Sequence, residues 1–151
     1  MELKSQISRS VNTLAPADSV YALLADVPKS VAHFPEMESL TFENGAYVWR
    51  MKKLGAGPVS FQVVYAAVYT FDPATRSVRW DGVRGFGNTQ VTGRWVIDAQ
   101  PTGTRFTLET TFALDLPLPG FLRGTAESLL ARENERLIST YLNNLKATLD
   151  R

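Results

Sequence analysis

A chain of 151 residues can bury roughly 70% of the surface its unfolded form exposes, and without a single cysteine it cannot use disulfides, thiolate metal sites or cysteine catalysis. Sixteen basic residues against fifteen acidic ones leave a formal charge of +1 with no basic cluster, which is not the footprint of a nucleic-acid binder. Aromatic residues make up 11% of the chain and gather in segments that read as strands, which points to an apolar interior instead. No run approaches the roughly 20 apolar residues of a membrane span, and Met1, Glu2 and Lys4 lead into no apolar leader segment. The absence of cysteine suits a reducing compartment, so the expected location is cytoplasmic.

Residues 2–12 alternate, with Leu3, Ile7 and Val11 on one face and Glu2, Lys4 and Gln6 on the other, the pattern of a half-buried strand. Pro16 suits the first turn of a helix whose apolar stripe is Val20, Tyr21, Leu23 and Leu24, with Asp18 complementing its N-terminal end. Pro28 interrupts that helix, and a second short one is predicted from Lys29 to Phe34, ended by Pro35.

The period then switches to two. Leu40 and Phe42 mark a strand, Asn44-Gly45 a hairpin, and Tyr47, Trp49 and Met51 alternate with Val48, Arg50 and Lys52. After the turn at Gly55–Pro58, one long strand is predicted with Phe61, Val63, Tyr65, Ala67, Tyr69 and Phe71 on one face. Val78 and Trp80, then Val91, Gly93, Trp95 and Ile97, then Phe106, Leu108, Thr110, Phe112 and Leu114 define three more strands. Pro117–Gly120 punctuates the chain before a helix from about Phe121 to Leu149, with Leu130, Leu137, Tyr141 and Leu145 on its apolar side.

Segregated helices and short turns between strands predict an α+β domain spanning residues 1–151, a helix-grip arrangement in which a curved seven-stranded antiparallel sheet wraps the C-terminal helix. In this register Trp49, Phe61, Val63, Tyr65, Trp95, Leu108 and Phe112 face the helix, while Arg50, Gln62, Arg94 and Glu109 face away. A strongly curled sheet closed by one helix need not fill completely, which leaves room for a pocket.

This order of elements resembles the START-like (SRPBCC, helix-grip) superfamily over essentially the whole chain. The residues that carry the resemblance are Val11 to Asp26 (VNTLAPADSVYALLAD), Phe34-Pro35, Gly93-Arg94-Trp95 and the Gly103–Phe106 turn into the last strand. The segment Leu54–Val59 is similar to the carbon monoxide dehydrogenase-associated branch of that superfamily, beside the polyketide cyclases. The resemblance implies a ligand cavity between the sheet and the C-terminal helix and fixes no ligand.

Few residues offer chemistry. His33 is the sole histidine, and it reads either as a base or gate at a pocket mouth or, with more weight, as a surface residue near a turn. With one histidine and no acidic cluster at ligand-loop spacing, no metal site and no cofactor are expected. Asn134 falls inside the apolar stripe of the last helix, as a ligand contact or a satisfied core amide. Glu133, at the stripe's edge, is assigned to a surface pair with Arg136. The glycines at 55, 57, 85, 87 and 93 precede strands rather than a helix, so they do not form a phosphate loop.

The expected ligand-contacting residues are Trp49, Phe61, Tyr65, Trp80, Trp95, Leu108, Thr110, Phe112, Asn134, Leu137 and Tyr141, although large strand aromatics serve equally as plain core. The expected partner is a small hydrophobic molecule (lipid, isoprenoid or aromatic polyketide-like), held by a binding or carrier protein. Two alternatives stand beside it: a cyclase or dehydratase working in the same cavity, and an accessory protein in assembly of an oxidoreductase. The sequence assigns no catalytic residue, because no compact constellation of titratable groups stands out.

Overall fold

Alternation over twelve residues at each end of the β region produces the longest ladder. β1 (Glu2–Thr13) runs antiparallel to β9 (Thr104–Asp115), from Glu2 opposite Asp115 to Thr13 opposite Thr104. The computed structural model describes residues 1–151. Between these two strands come α1 (Ala17–Ala25), α2 (Val27–Val31), β2 (Met37–Glu43), β3 (Ala46–Met51), β4 (Leu54–Ala56), β5 (Val59–Phe61), β6 (Val64–Asp72), β7 (Ser77–Gly82) and β8 (Thr89–Ala99). A 3-10 turn at Gly120–Leu122 then opens the 27-residue α3 (Arg123–Leu149). Seven strands form one sheet in the order β1-β9-β8-β7-β6-β3-β2, every pair antiparallel, and β4 with β5 makes a separate small hairpin. This is the expected α+β helix-grip arrangement.

The β2–β3 turn shows the local chemistry well. Asn44 (φ 52°) and Gly45 (φ 79°) both take positive φ, the conformation a two-residue hairpin with the native strand twist requires. The register agrees with the sequence pattern on both faces. Trp95 and Leu108 are opposite partners, 5% and 4% exposed, whereas Arg94 and Glu109 form an exposed 2.7 Å ion pair on the other side.

The structure departs from the sequence reading at three points. The long strand predicted from Phe61 to Phe71 is broken at Gln62-Val63. There the Asn88 side chain replaces a neighbouring strand: its Oδ1 accepts from the Val64 amide at 3.0 Å and its Nδ2 donates to the Gln62 carbonyl at 2.6 Å. The break lets β5 turn back on β4 and carries Phe61 into a cluster with Leu54, Val59 and Leu129. Second, Pro28 does not end a helix; it stands in the first turn of α2, and the break falls two residues earlier at Asp26, whose carboxylate caps the Lys29 amide at 3.2 Å. Third, the outward face is not all polar. Ala46, Val48 and Ala66 are buried there beneath Val83 and Phe86, and the Arg50 guanidinium lies 6.0 Å from the Phe86 ring centre.

α3 crosses the concave face of the sheet. Leu130, Leu137, Leu142 and Leu145 are at most 4% exposed, and burial of each contributes about 1.5–3 kcal/mol. Polar contacts pin both ends. Arg123 Nη1 donates to the Glu2 carbonyl at 3.1 Å, and at the far end Asn144 donates to the His33 carbonyl at 2.9 Å. Asp150 closes the helix from the end where a carboxylate opposes the macrodipole. It is held there by the Thr13 hydroxyl, the Leu14 amide at 3.0 Å and the Lys146 ammonium.

Those donors, led by Lys146 and Thr13, hold the Asp150 carboxyl at about 2, below its ordinary 3.8. A depressed folded-state value means that the contact stabilises fully above the unfolded value and is lost as the pH falls through 2. Asp150→Asn should therefore be less stable than the wild type at pH 5, with the difference shrinking steadily toward pH 2. Urea melts of both proteins across that range check it, and a difference independent of pH would show that the carboxylate's charge is not what pins the helix.

Candidate functional site

Three apolar clusters border one space between the sheet and the helices. One lies under α1 and the C-terminal half of α3, with Val20, Trp80, Trp95, Phe106 and Leu145. A second joins the β4–β5 hairpin to the N-terminal half of α3, with Phe61, Leu129 and Leu130. The third is small: Val27 and Val31 of α2 against Trp49. Where the three meet, the side chains do not close up. The resulting cavity has a volume of about 100 Å³, room for several small atoms or waters.

Of the 23 residues that line it, 19 are hydrophobic, and the other four, Ser30, Thr89, Thr110 and Asn134, are uncharged. The wall therefore carries no formal charge to offset a buried ion. It does carry rings. Trp49 and Tyr65 stack at 5.3 Å with 19° between their planes, and Phe34 meets Trp49 edge-on at 5.6 Å. Tyr69 packs on Trp80 at 5.7 Å, and Tyr141 on Trp95 at 5.9 Å. All three tryptophans of the chain line the cavity.

Gly93 shapes this wall by lacking a side chain. It pairs with Trp80 across β7 and β8, and a Cβ at position 93 would stand 2.5 Å from the indole ring. The glycine thus leaves room for the Trp80 indole to lie over β8 at the cavity wall.

The polar groups differ in how far they are satisfied. Tyr141 shares a 2.6 Å hydrogen bond with Ser30, and Thr89 donates to Asn88 at 2.9 Å. Asn134 donates to the Ser5 hydroxyl at 3.2 Å, which leaves its carbonyl oxygen free. The Trp49 indole N–H has no partner although its residue is only 6% exposed. Trp49 partly offsets the burial that raises the Tyr69 phenol. Burial dominates the acidity of Tyr65, Tyr69 and Tyr141 and pushes all three phenols well above the usual tyrosine range, so each is a neutral hydroxyl at physiological pH.

Of the residues singled out from the sequence, Trp49, Tyr65, Trp80, Trp95, Leu108, Thr110, Phe112, Asn134, Leu137 and Tyr141 all line the cavity. Phe61 does not; the strand break turns it into the β4–β5 cluster. Glu133 pairs with Arg136 at 2.7 Å, as assigned. His33 is a structural tie: its Nδ1 faces the Lys29 carbonyl at 2.9 Å and its Nε2 the Thr148 hydroxyl at 2.8 Å, joining α2 to the end of α3. The sequence reading did not bring α1 and α2 to the cavity. They supply Leu24, Val27, Ser30 and Val31, and Phe34 follows. The signal was present in the spacing of Val27, Val31 and Phe34, four and then three residues apart on one helical face.

A curved antiparallel sheet gripping a long helix around an apolar cavity defines the START-like class. Within it the chain belongs to the polyketide cyclase / dehydrase and lipid transport family, whose pattern it matches over residues 4–150. Similar solved structures include the Zhui aromatase/cyclase of Streptomyces sp. R1128, at 20% identity and a TM-score of 0.69, covering 99% of this chain and 95% of that one. The KanY protein is 16% identical with a TM-score of 0.68, covering 99% of both chains. A START superfamily protein of Mycobacterium smegmatis is 16% identical with a TM-score of 0.64, covering 95% of this chain and 98% of the other. At these identities the likeness is one of fold. No curated protein matches by sequence, and no helix is long and apolar enough to cross a membrane.

Gly93→Ala tests the shaping of the wall. Displacing the Trp80 indole should cost about 1–3 kcal/mol, the usual penalty of overpacking, and should shift the tryptophan emission spectrum. Chemical denaturation together with fluorescence reads both, and an unchanged spectrum with unchanged stability would mean that Trp80 is free to move aside.

Proposed function

We propose that the chain is a binding or carrier protein for a small hydrophobic molecule, held in the cavity between the sheet and α3. The observation that carries this reading is the cavity wall itself: apolar and aromatic, several waters in volume, with a few uncharged polar groups spaced around it. The family's description, which includes lipid transport, supports it. Trp49, Tyr65, Trp80, Trp95, Leu108, Thr110, Phe112, Asn134, Leu137 and Tyr141 are the proposed contact residues. Burial of apolar ligand surface, on the order of 25 cal/mol per Å², supplies the affinity, and Asn134 gives orientation.

A cyclase or dehydratase reading of the same cavity draws on the likeness to the Zhui aromatase/cyclase. It is the weaker of the two. The ionisable side chains on the wall are tyrosines whose phenols burial keeps protonated, so they can donate a hydrogen bond but make poor general bases.

Because every tryptophan lines the cavity, a neutral naphthylamine probe should quench tryptophan emission saturably at one site per chain. Native mass spectrometry of gently purified protein should show a co-purifying hydrophobe. Asn134→Leu should cost less than about 1 kcal/mol, since the part-buried Ser5 hydroxyl it releases can turn to water, yet it should change which of several hydrophobes binds best. Large destabilisation with unchanged selectivity would assign Asn134 to the core, and the lack of any saturable quenching would remove the binding role.

A further inference from the structure

The N-terminal end of α3 carries exposed apolar and unpaired basic groups together. Phe121 is 84% exposed, more than any other large hydrophobic side chain of the protein. It is not on a loose tail. In its 3-10 turn the Leu122 amide donates to the Pro119 carbonyl at 3.0 Å, and Leu118 and Leu122 pack on the cluster that joins the β4–β5 hairpin to α3. With both of those neighbours packed inward, the turn holds the Phe121 ring out in solvent.

A single exposed ring is ordinary on a protein surface. The surroundings of this one are not. Exposed Pro117 and Pro119 precede it in the chain. The tip of the β4–β5 hairpin comes alongside α3, where Gly55 and Ala56 share an open groove with Thr125, Ser128 and Arg132 over buried Val59 and Leu129. Thr125, Ser128 and Arg132 recur along that groove at helical spacing, and Phe121 stands four residues before the first of them.

Three cations at this end lack a counterion. Lys52 and Lys53, on the turn into the hairpin, and Arg132, on the groove wall, are exposed and enter no ion pair. The carboxylates on the same stretch of α3 are already matched, Glu127 to Arg123 at 3.5 Å and Glu133 to Arg136 at 2.7 Å. Glu38, tied through the Gln62 amide to Met51, sets one negative charge against the three.

An apolar tip ringed by free cations complements a surface that is apolar beneath an anionic layer, which is a bilayer containing acidic lipid. The other exposed rings have the opposite surroundings. Phe42 and Phe71 are 61% and 41% exposed, and Phe42 packs on Tyr47 at 4.8 Å, at the end of β3 away from Lys52. Each is followed by a carboxylate outside any ion pair, Glu43 and Asp72, which an anionic bilayer would repel.

We infer that the N-terminal end of α3 docks the protein on membranes containing anionic lipid, with Phe121 entering the interface and Lys52, Lys53 and Arg132 meeting the headgroups. The same two elements carry Leu54 and Leu130 of the cavity wall, so docking sets the bilayer against the part of the fold that closes the cavity. The cavity need not be filled for this contact, so it stands or falls separately from the binding role.

Co-sedimentation with phosphatidylcholine vesicles, with and without about one-third phosphatidylglycerol, tests it at about 0.1 M salt. The wild type should bind the acidic vesicles about tenfold or more tightly than the neutral ones, and raising the salt to about 0.5 M should remove the difference. Phe121→Ser should weaken acidic-vesicle binding about tenfold, and Lys52→Gln, Lys53→Gln and Arg132→Gln about fivefold each. These positions are exposed, so the variants should keep the fold. Phe42→Ser should change binding less than about twofold. Equal binding to both vesicles, or acidic-vesicle binding that survives Phe121→Ser and the lysine substitutions, would overturn the inference. An equal loss on Phe42→Ser would place docking at the other end and overturn it too. Sedimentation with neither vesicle would overturn it and leave the Phe121 end to a protein partner.

Discussion

One helix has to cover the concave face of a seven-stranded sheet, and the rest of the structure follows from that mismatch. α3 presents a single apolar stripe, while the sheet presents residues from several strands, and the twist that curls the sheet carries its outer strands away from the helix axis. The molecule resolves this in part by adding cover. α1 and α2 close one flank, with Val27 and Val31 packed on Trp49, and the β4–β5 hairpin closes another against Leu129 and Leu130. Three separate clusters result instead of one continuous core, and the cavity is the space they leave between them.

A cavity of this kind persists only if the helix cannot sink into it. Filling it would bury more apolar surface, so something must hold α3 at its height above the sheet. The ties at its ends do this. Arg123 reaches the first strand at one end, and at the other Asp150 binds the β1 terminus while Thr148 and Asn144 bind His33. Most of these contacts are exposed, and each contributes little stability alone. Their effect is geometric: they fix both ends of a 27-residue rod, and a regular helix between two fixed ends does not bow readily into a gap.

Much of this was legible because strand and helix periods are strict. Trp95, Leu108, Thr110 and Phe112 could be placed on the inner face from alternation alone, and Asn134 from its place in the α3 stripe. What escaped the pattern depends on partners far away in the chain. Phe61 continues the alternation of Val63 and Tyr65 without a flaw, but Asn88 cuts the strand after it, and an amide 26 residues away leaves no trace in the local period. His33 reads as a pocket-mouth base or, with more weight, a surface residue near a turn, and it is a tie to Thr148, a residue 115 positions along. Val48 alternates outward as expected, yet it is 2% exposed because the Val83–Phe86 loop folds back over it.

The same distance dependence explains the polar content of the cavity. A core selected only for stability would leave no indole N–H unpaired, because one buried unmatched donor costs about 1–3 kcal/mol, a sizeable part of the 5–15 kcal/mol by which domains are stable. Here Trp49 of β3 stacks on Tyr65 and Tyr69 of β6 packs on Trp80, contacts made by the rings and not by their polar atoms. Ser30 and Tyr141 show that the fold can pair such groups when they meet, since that pair is closed at 2.6 Å between α2 and α3. On the wall of the same cavity, then, one polar pair is closed across the fold while the Trp49 indole N–H has no partner within it.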